Sequence, residues 1–130
     1  MRLLIAFTLA LISKLTIAQA WPDKPIRLIL PYAPGGGADV IGRPLAQRLS
    51  EKLSRQVVPD NRGGASGNIG MEIAAKSPAD GNTLVLYLGP QLSVNQSLYN
   101  KLPYDPFRDF APIMLTGSAP YMLSVHPSLP

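Results

Sequence analysis

The sequence contains no cysteine and only one histidine, His126, which lies four residues from the end of a 130-residue chain. Without cysteine there are no disulfides, no thiol nucleophile and no cysteine-ligated zinc. A single histidine at that position argues against a histidine-rich metal site and against a serine–histidine–aspartate triad. We therefore expect neither a metal nor a cofactor.

Charged residues are also scarce, at 15% of the chain, and they do not suggest a nucleic-acid partner. Half of the formal net charge of +4 comes from Arg2 and Lys14, and the other basic residues form no cluster of the kind that binds nucleic acid. The chain has no Gly-Lys pair, which a Walker A loop requires, and its glycines lack the spacing of a dinucleotide-binding fingerprint. Nucleotide binding is therefore disfavoured.

Residues 1–20 have the pattern of an export signal. Arg2 precedes an apolar run over residues 3–12, and Ala18 and Ala20 give the small-x-small pattern of a cleavage site. The run is shorter than the roughly 20 apolar residues that span a bilayer. A membrane anchor and a buried helix are the alternatives. The pattern favours cleavage and export, which leaves residues 21–130 as the mature chain.

Strand-like and helix-like segments alternate along the first part of the mature chain. Residues 26–33 open with an apolar run typical of a strand buried on both faces, residues 56–58 form a shorter run, and residues 83–88 form the clearest strand. Helical patterns fill the two intervals. This order predicts an α/β fold, βαβαβ, with a parallel sheet and right-handed crossovers.

The first helical pattern begins at Ala38 and contains Pro44, so either its first turn is irregular or the regular helix begins near Arg43. The second covers residues 68–76. The residues that we expect to face the core are Ile41, Leu45, Leu49 and Leu53 in the first helix and Ile69, Ile73 and Ala74 in the second. Further along, a short helix is expected over residues 93–99, with candidate strands over residues 113–116 and 121–125.

Two glycine-rich loops, residues 35–39 and 64–68, follow the first two predicted strands. Because the carboxyl ends of parallel strands meet at one edge of a sheet, both loops are expected there. A glycine loop leading into a helix exposes amide N–H groups beside the positive end of the helix dipole, and such a site suits an anion. Two loops fit one carboxylate or both ends of a dicarboxylate. Ordinary tight turns are the alternative, and Asp39 and Asn68 are equally consistent with helix capping.

Catalysis has little support in the sequence. Ser66 does not lie in a G-x-S-x-G motif and has no neighbouring histidine to act as its base. The eight carboxylates are scattered singly, with no pair spaced for acid–base work. A small exported hydrolase that uses Ser66 is therefore the weakest alternative.

Seven motifs follow one another along the mature chain. They are residues 25–39 (PIRLILPYAPGGGAD), 60–70 (DNRGGASGNIG), 80–84 (DGNTL), 95–99 (NQSLY), 101–106 (KLPYDP), 109–112 (DFAP) and 126–130 (HPSLP). In this order they resemble the Bug-type receptors, the extracytoplasmic substrate-binding proteins of tripartite tricarboxylate transporters. The resemblance covers essentially all of residues 21–130.

The resemblance implies a type II periplasmic-binding-protein fold that closes over a small carboxylate or dicarboxylate. It also implies a periplasmic location, no enzymatic activity, and membrane transporter subunits as possible partners. The family usually has glycine where this chain has Ser66. Carried across by position, the ligand-binding residues are Pro34, Gly35, Gly36, Gly37, Asp39, Gly64, Ala65, Ser66, Gly67, Asn68 and Asn95.

Family members are longer, so residues 21–130 are expected to form part of the first lobe, with the second lobe absent. A single lobe leaves its ligand contacts in bulk water, where contacts to an anion are weak. We therefore expect weak binding of dicarboxylates at best. A non-functional remnant of a receptor gene is the alternative to a working binder.

Overall fold

The computed structural model describes residues 21–118, 122 and 124–128, so the predicted export signal lies outside the described residues. Three parallel strands form one sheet in the order β2-β1-β3, with β1 at Ile26–Leu30, β2 at Val57–Asn61 and β3 at Thr83–Val85. The central strand β1 pairs with both neighbours. The predicted α/β class and its parallel sheet are confirmed.

Four α-helices lie within the described residues: α1 at Gly37–Leu53, α2 at Asn68–Ala75, α3 at Pro90–Ser93 and α4 at Asn95–Leu98. A 3₁₀ turn, Ala65–Gly67, immediately precedes α2. Helix α1 runs through Pro44 and does not begin near Arg43. Pro44 provides no N–H for the carbonyl of Val40, but Val40 is 70% exposed, so water can replace that donor. No helix within the described ranges is long and apolar enough to cross a bilayer.

The main core lies between the sheet and α1. It contains Ile26, Leu28, Leu30, Ala46, Val57 and Leu86, with Leu45, Leu49, Leu53 and Leu84 packed against it. The prediction that three of the α1 leucines face the core is confirmed. The prediction for Ile41 is wrong, because the helix approaches the sheet along its small residues Ala38, Gly42 and Ala46. A Cβ at Gly42 would lie only 2.6 Å from Leu30 Cδ2.

Helix α2 contacts β1 and β3, and its buried residues are not the predicted ones. Met71 is fully buried, and Gly70 lies so close to β1 that a Cβ there would be 2.7 Å from Pro31 Cβ. This orientation turns Ile69 outward, with 47% of its surface exposed, so the prediction that Ile69 faces the core is wrong. Ile73 and Ala74 are partly buried.

Several predicted boundaries also change. Strand β2 continues to Asn61, through residues predicted as loop, because Asp60 and Asn61 pair with the end of β1. Residues 93–99 contain the end of one short helix and all of another rather than a single helix. Residues 113–116 form no strand and are exposed. The candidate strand over residues 121–125 lies partly outside the described residues, and its described members are not in a strand.

Candidate functional site

An open cleft of about 360 Å³ lies at the carboxyl edge of the sheet. It brings together the residues after β1, the glycine-rich loop after β2, and the two short helices after β3. The lining residues are Pro31, Tyr32, Ala33, Gly63, Gly64, Ser66, Gly67, Pro90, Gln91, Val94, Asn95 and Leu98. None of these described residues carries a charged side chain. The cleft lies where the parallel strands end, which is the usual place for a binding cleft in an α/β sheet.

The loop after β2 has an unusual backbone. Gly64, Ala65, Ser66 and Gly67 have successive φ angles of 119°, 48°, 56° and 88°. Glycine adopts positive φ readily, but the left-handed region costs other residues roughly 1–2 kcal/mol each. Such a conformation persists only where the surroundings hold it in place. The loop at residues 64–67 is therefore a strained element on the wall of the cleft.

Two buried amide side chains hold this loop through the carbonyl of Ser66. Gln91 Nε2 donates to that oxygen at 2.8 Å, and Asn95 Nδ2 donates to it at 3.2 Å. Within the loop, the Gly67 N–H donates to the Gly64 carbonyl at 2.9 Å. The amide N–H groups of Gly64 and Ser66 have no backbone or side-chain acceptor in the described part of the chain. These two N–H groups are among the backbone donors of the cleft lining that have no hydrogen-bond partner within the described residues.

Behind the loop, Asn68 and Asn95 form a buried pair. Asn95 Nδ2 donates to Asn68 Oδ1 at 2.7 Å, and the Tyr104 hydroxyl donates to the same oxygen at 2.9 Å. Burial raises the pKa of Tyr104 further above neutral pH, and its protonated hydroxyl donates this hydrogen bond. Asn68 therefore supports the loop from behind instead of lining the cleft, and its side chain does not cap α2.

Tyr32 and Tyr99 complete the polar network. The Tyr32 hydroxyl donates to Gln91 Oε1 and accepts the Leu88 N–H at 2.9 Å. Tyr99 donates to Ser66 Oγ at 3.0 Å. The sequence did not indicate Gln91 as a site residue. It also did not indicate Tyr32, Tyr99 or Tyr104. One signal was available, since Tyr32 follows β1 almost directly and so lies at the carboxyl edge of the sheet, where the cleft is.

The first glycine loop is arranged differently from the second. The Asp39 carboxylate accepts the Gly35 N–H at 3.0 Å, Arg43 Nε at 2.8 Å and Asn61 Nδ2 at 3.0 Å. These bonds, that of Arg43 foremost, lower the pKa of Asp39 to about 2. A carboxylate of the protein thus already lies at the positive end of α1, where an anionic ligand was expected.

Charges near the end of β2 are paired within the protein. Asp60 accepts Arg27 Nε at 2.6 Å and Arg62 Nε at 2.9 Å. Burial raises the pKa of Asp60, but hydrogen bonds from Arg27 and Arg62 outweigh this, so that the net shift is downward. These arginines are therefore engaged with a carboxylate of the chain itself.

Of the residues predicted to bind a ligand, four line the cleft: Gly64, Ser66, Gly67 and Asn95. The others lie beside or behind it, namely Pro34, Gly35, Gly36, Gly37, Asp39, Ala65 and Asn68. A ligand role for all of these residues stays a prediction. In the part of the chain that is described, no group of three histidine, cysteine, aspartate or glutamate side chains is placed to bind a metal ion. His126 Nδ1 lies 2.7 Å from Ser128 Oγ, and no hydrogen bond joins His126 to Ser66 among the described residues.

Comparison with known proteins gives a consistent result. A model described as "Tripartite tricarboxylate transporter family receptor" matches residues 41–130. The chain is 42% identical to BugT of Bordetella pertussis over 113 residues, which cover 86% of this chain and 35% of BugT. It is 39% identical to a UPF0065 protein of Pseudomonas sp. over 127 residues, covering 95% of this chain and 38% of that protein. The chain thus spans little more than a third of these relatives.

Solved structures agree with the sequence matches. The periplasmic binding protein BugD matches with a TM-score of 0.67 and 35% identity, over 72% of this chain and 31% of BugD. A protein of R. palustris with adipate matches with a TM-score of 0.64 and 39% identity, over 67% of this chain and 29% of that protein. MatC from Rhodopseudomonas palustris with bound malate matches with a TM-score of 0.68 and 27% identity, over 71% of this chain and 31% of MatC. The resemblance identified in the sequence is confirmed.

Proposed function

Because the chain belongs to the family of tripartite tricarboxylate transporter receptors, we propose that it is a solute-binding protein that holds a small carboxylate against the loop at residues 64–67. The observation that carries this proposal is the pair of unpaired N–H groups on Gly64 and Ser66. Hydrogen bonds from amides to a charged acceptor are about twice as strong as those to a neutral one. The two oxygens of a carboxylate provide an acceptor for each of these N–H groups.

Helix α2 adds to the attraction. It begins at Asn68, directly after the loop, so the positive end of its dipole lies next to Ser66 and Gly67. Recognition through backbone N–H groups does not need a cationic side chain, which agrees with the uncharged lining of the cleft. Because the cleft is open to water, we expect an affinity of about 1 mM, equivalent to ~4 kcal/mol of binding free energy.

The proposal has support from the ligands of related proteins. An R. palustris relative holds adipate, and MatC holds malate, and both are small dicarboxylates. We further propose that residues 1–20 are removed on export, that the chain acts in the periplasm, and that membrane transporter subunits receive its ligand. N-terminal sequencing of the exported protein is expected to begin at Trp21. A retained leader would contradict this part of the proposal.

The test of the function is a comparison of charged and uncharged ligands. Ligand-observed NMR with the purified protein is expected to detect binding of adipate or malate at millimolar concentration. Adipamide, which has the length of adipate without its charge, serves as the matched control and is expected to bind more weakly. The proposal fails if no carboxylate binds, or if adipamide binds as tightly as adipate.

A further inference from the structure

Part of the cleft surface is apolar. Val94 and Leu98 lie four residues apart, the spacing that places two side chains on the same face of a helical segment. Both line the cleft, together with Pro31 and Pro90. Val94 is 44% exposed and Leu98 is 68% exposed, so each presents hydrocarbon surface to a ligand rather than to the core.

The two amide side chains that share this part of the cleft, Gln91 and Asn95, already donate hydrogen bonds to the protein. Gln91 donates to Ser66 and accepts from Tyr32. Asn95 uses its amide group on Ser66 and Asn68. A hydroxyl group of a ligand that was pressed against Val94 and Leu98 would lose water without gaining a hydrogen-bond partner from either side chain, and that loss is unfavourable. A CH₂ group at the same place would leave water favourably.

We propose that this cleft selects carboxylates whose body is a hydrocarbon chain or ring over hydroxylated carboxylates, with Val94 and Leu98 as the specificity-determining residues. The inference rests on the proposed function, because the loop at residues 64–67 fixes the carboxylate while the apolar surface contacts the remainder of the ligand. The two halves of the ligand are thus recognised by different chemistry. N–H donors bind the charged end, and aliphatic side chains bind the uncharged body.

Adipate and galactarate provide a matched pair of probes. Both are six-carbon dicarboxylates with the same charge, and galactarate carries a hydroxyl group on each of its four inner carbons. The dissociation constant of each is measured by NMR titration of the whole purified protein. We expect adipate to bind roughly 10-fold more tightly, the lower end of what small differences in apolar contact give in a binding pocket.

Variants assign the preference to the residues named. Leu98→Asn keeps the branched shape of the side chain and makes it polar, and it is expected to bring the ratio of the two dissociation constants close to one. Leu115→Asn makes the same change at a residue that is 83% exposed and outside the cleft, and it is expected to leave the ratio unchanged. Val94→Thr, which is nearly isosteric, tests the same surface a second time and is also expected to lower the ratio.

The outcomes separate this inference from the function on which it rests. If galactarate binds as tightly as adipate, or if Leu98→Asn and Val94→Thr leave the ratio unchanged, the inference is overturned and carboxylate binding still stands. If neither compound binds, the proposed function fails and the inference fails with it. A preference for adipate that Leu98→Asn removes and Leu115→Asn retains is the supporting result.

Discussion

Gln91 Nε2 lies 2.8 Å from the carbonyl oxygen of Ser66, although the two residues are 25 positions apart in the chain. The other end of the same side-chain amide accepts a hydrogen bond from Tyr32, across 59 positions. A single buried side chain therefore links the carboxyl end of β1 to the strained loop after β2. The conformation of that loop depends on a residue outside it.

Replacing Gln91 tests this dependence. Gln91→Leu leaves the Ser66 carbonyl with Asn95 as its side-chain donor and removes Gln91 Oε1 as an acceptor of the Tyr32 hydroxyl. We expect the free energy of unfolding to fall by roughly 1–3 kcal/mol, the usual consequence of removing buried hydrogen bonds. We also expect the affinity for adipate to fall, because the Gly64 and Ser66 amides lose their fixed positions. Urea unfolding and NMR titration measure the two effects.

The matched control for that variant is Gln96→Leu. Gln96 is exposed, and its side chain donates to a carbonyl within its own helical segment. The Gln96→Leu variant is expected to change neither the free energy of unfolding nor the affinity for adipate appreciably. Wild-type adipate affinity in Gln91→Leu would show that the loop does not need this support.

The backbone at Ser66 leads to a second prediction. With a φ angle of 56°, Ser66 occupies the left-handed region, which suits glycine better than serine. Ser66→Gly and Ser66→Ala both remove the contact with Tyr99, but glycine alone relieves the strain. We therefore expect Ser66→Gly to be about 1 kcal/mol more stable than Ser66→Ala in urea unfolding. The reverse order would contradict the strain that we assign to this loop.

The acid sensitivity of the protein is expected to depend on Asp39. Its pKa is about 2 in the folded state, against an ordinary value of 3.8, so the unfolded chain binds its proton more readily. The contribution of Asp39 to stability is thus fully present above about pH 5 and is lost as the pH falls towards 2. Asp39→Asn is expected to lower the Tm at neutral pH and to flatten its decline in acid. An acid profile parallel to that of the wild type would refute this.

The close packing of α2 against β1 gives a fourth prediction. A Cβ at Gly70 would lie 2.7 Å from the carbonyl oxygen of Arg62 and 2.8 Å from Pro31 Cα, and backbone atoms cannot move aside as a flexible side chain can. We expect Gly70→Ala to lower the free energy of unfolding by roughly 1–3 kcal/mol. Gly89→Ala is the control, since nothing lies within 4 Å of its added carbon. Equal thermal stability of the two variants would contradict this packing.

The order of the elements and the position of the cleft could be predicted from the sequence because both follow from local patterns. The apolar run at β1 and the glycines after β2 are visible without knowing what they contact. Features set by long-range contacts were missed. Strand β2 reaches Asn61 because it pairs with β1, and Ile41 is exposed because Gly42 lets α1 approach Leu30.

The candidate site divides in the same way. Gly64, Ser66 and Gly67 could be predicted from loop composition, and Asn95 from the family resemblance. Gln91 and Tyr104 could not, because their roles lie in hydrogen bonds to residues far away in the chain. The ligand role predicted for Asp39 stays a prediction, and its pairing with Arg43 and Asn61 depends on how β2 ends beside α1.

The central claim is that a carboxylate binds to the amides of the loop at residues 64–67. The most direct measurement is a titration of the ¹⁵N-labelled protein with adipate, followed by amide chemical shifts. The account predicts that the signals of Gly64 and Ser66 shift the most and saturate at millimolar adipate. Saturating shifts elsewhere in the chain, with the signals of Gly64 and Ser66 unmoved, would contradict it.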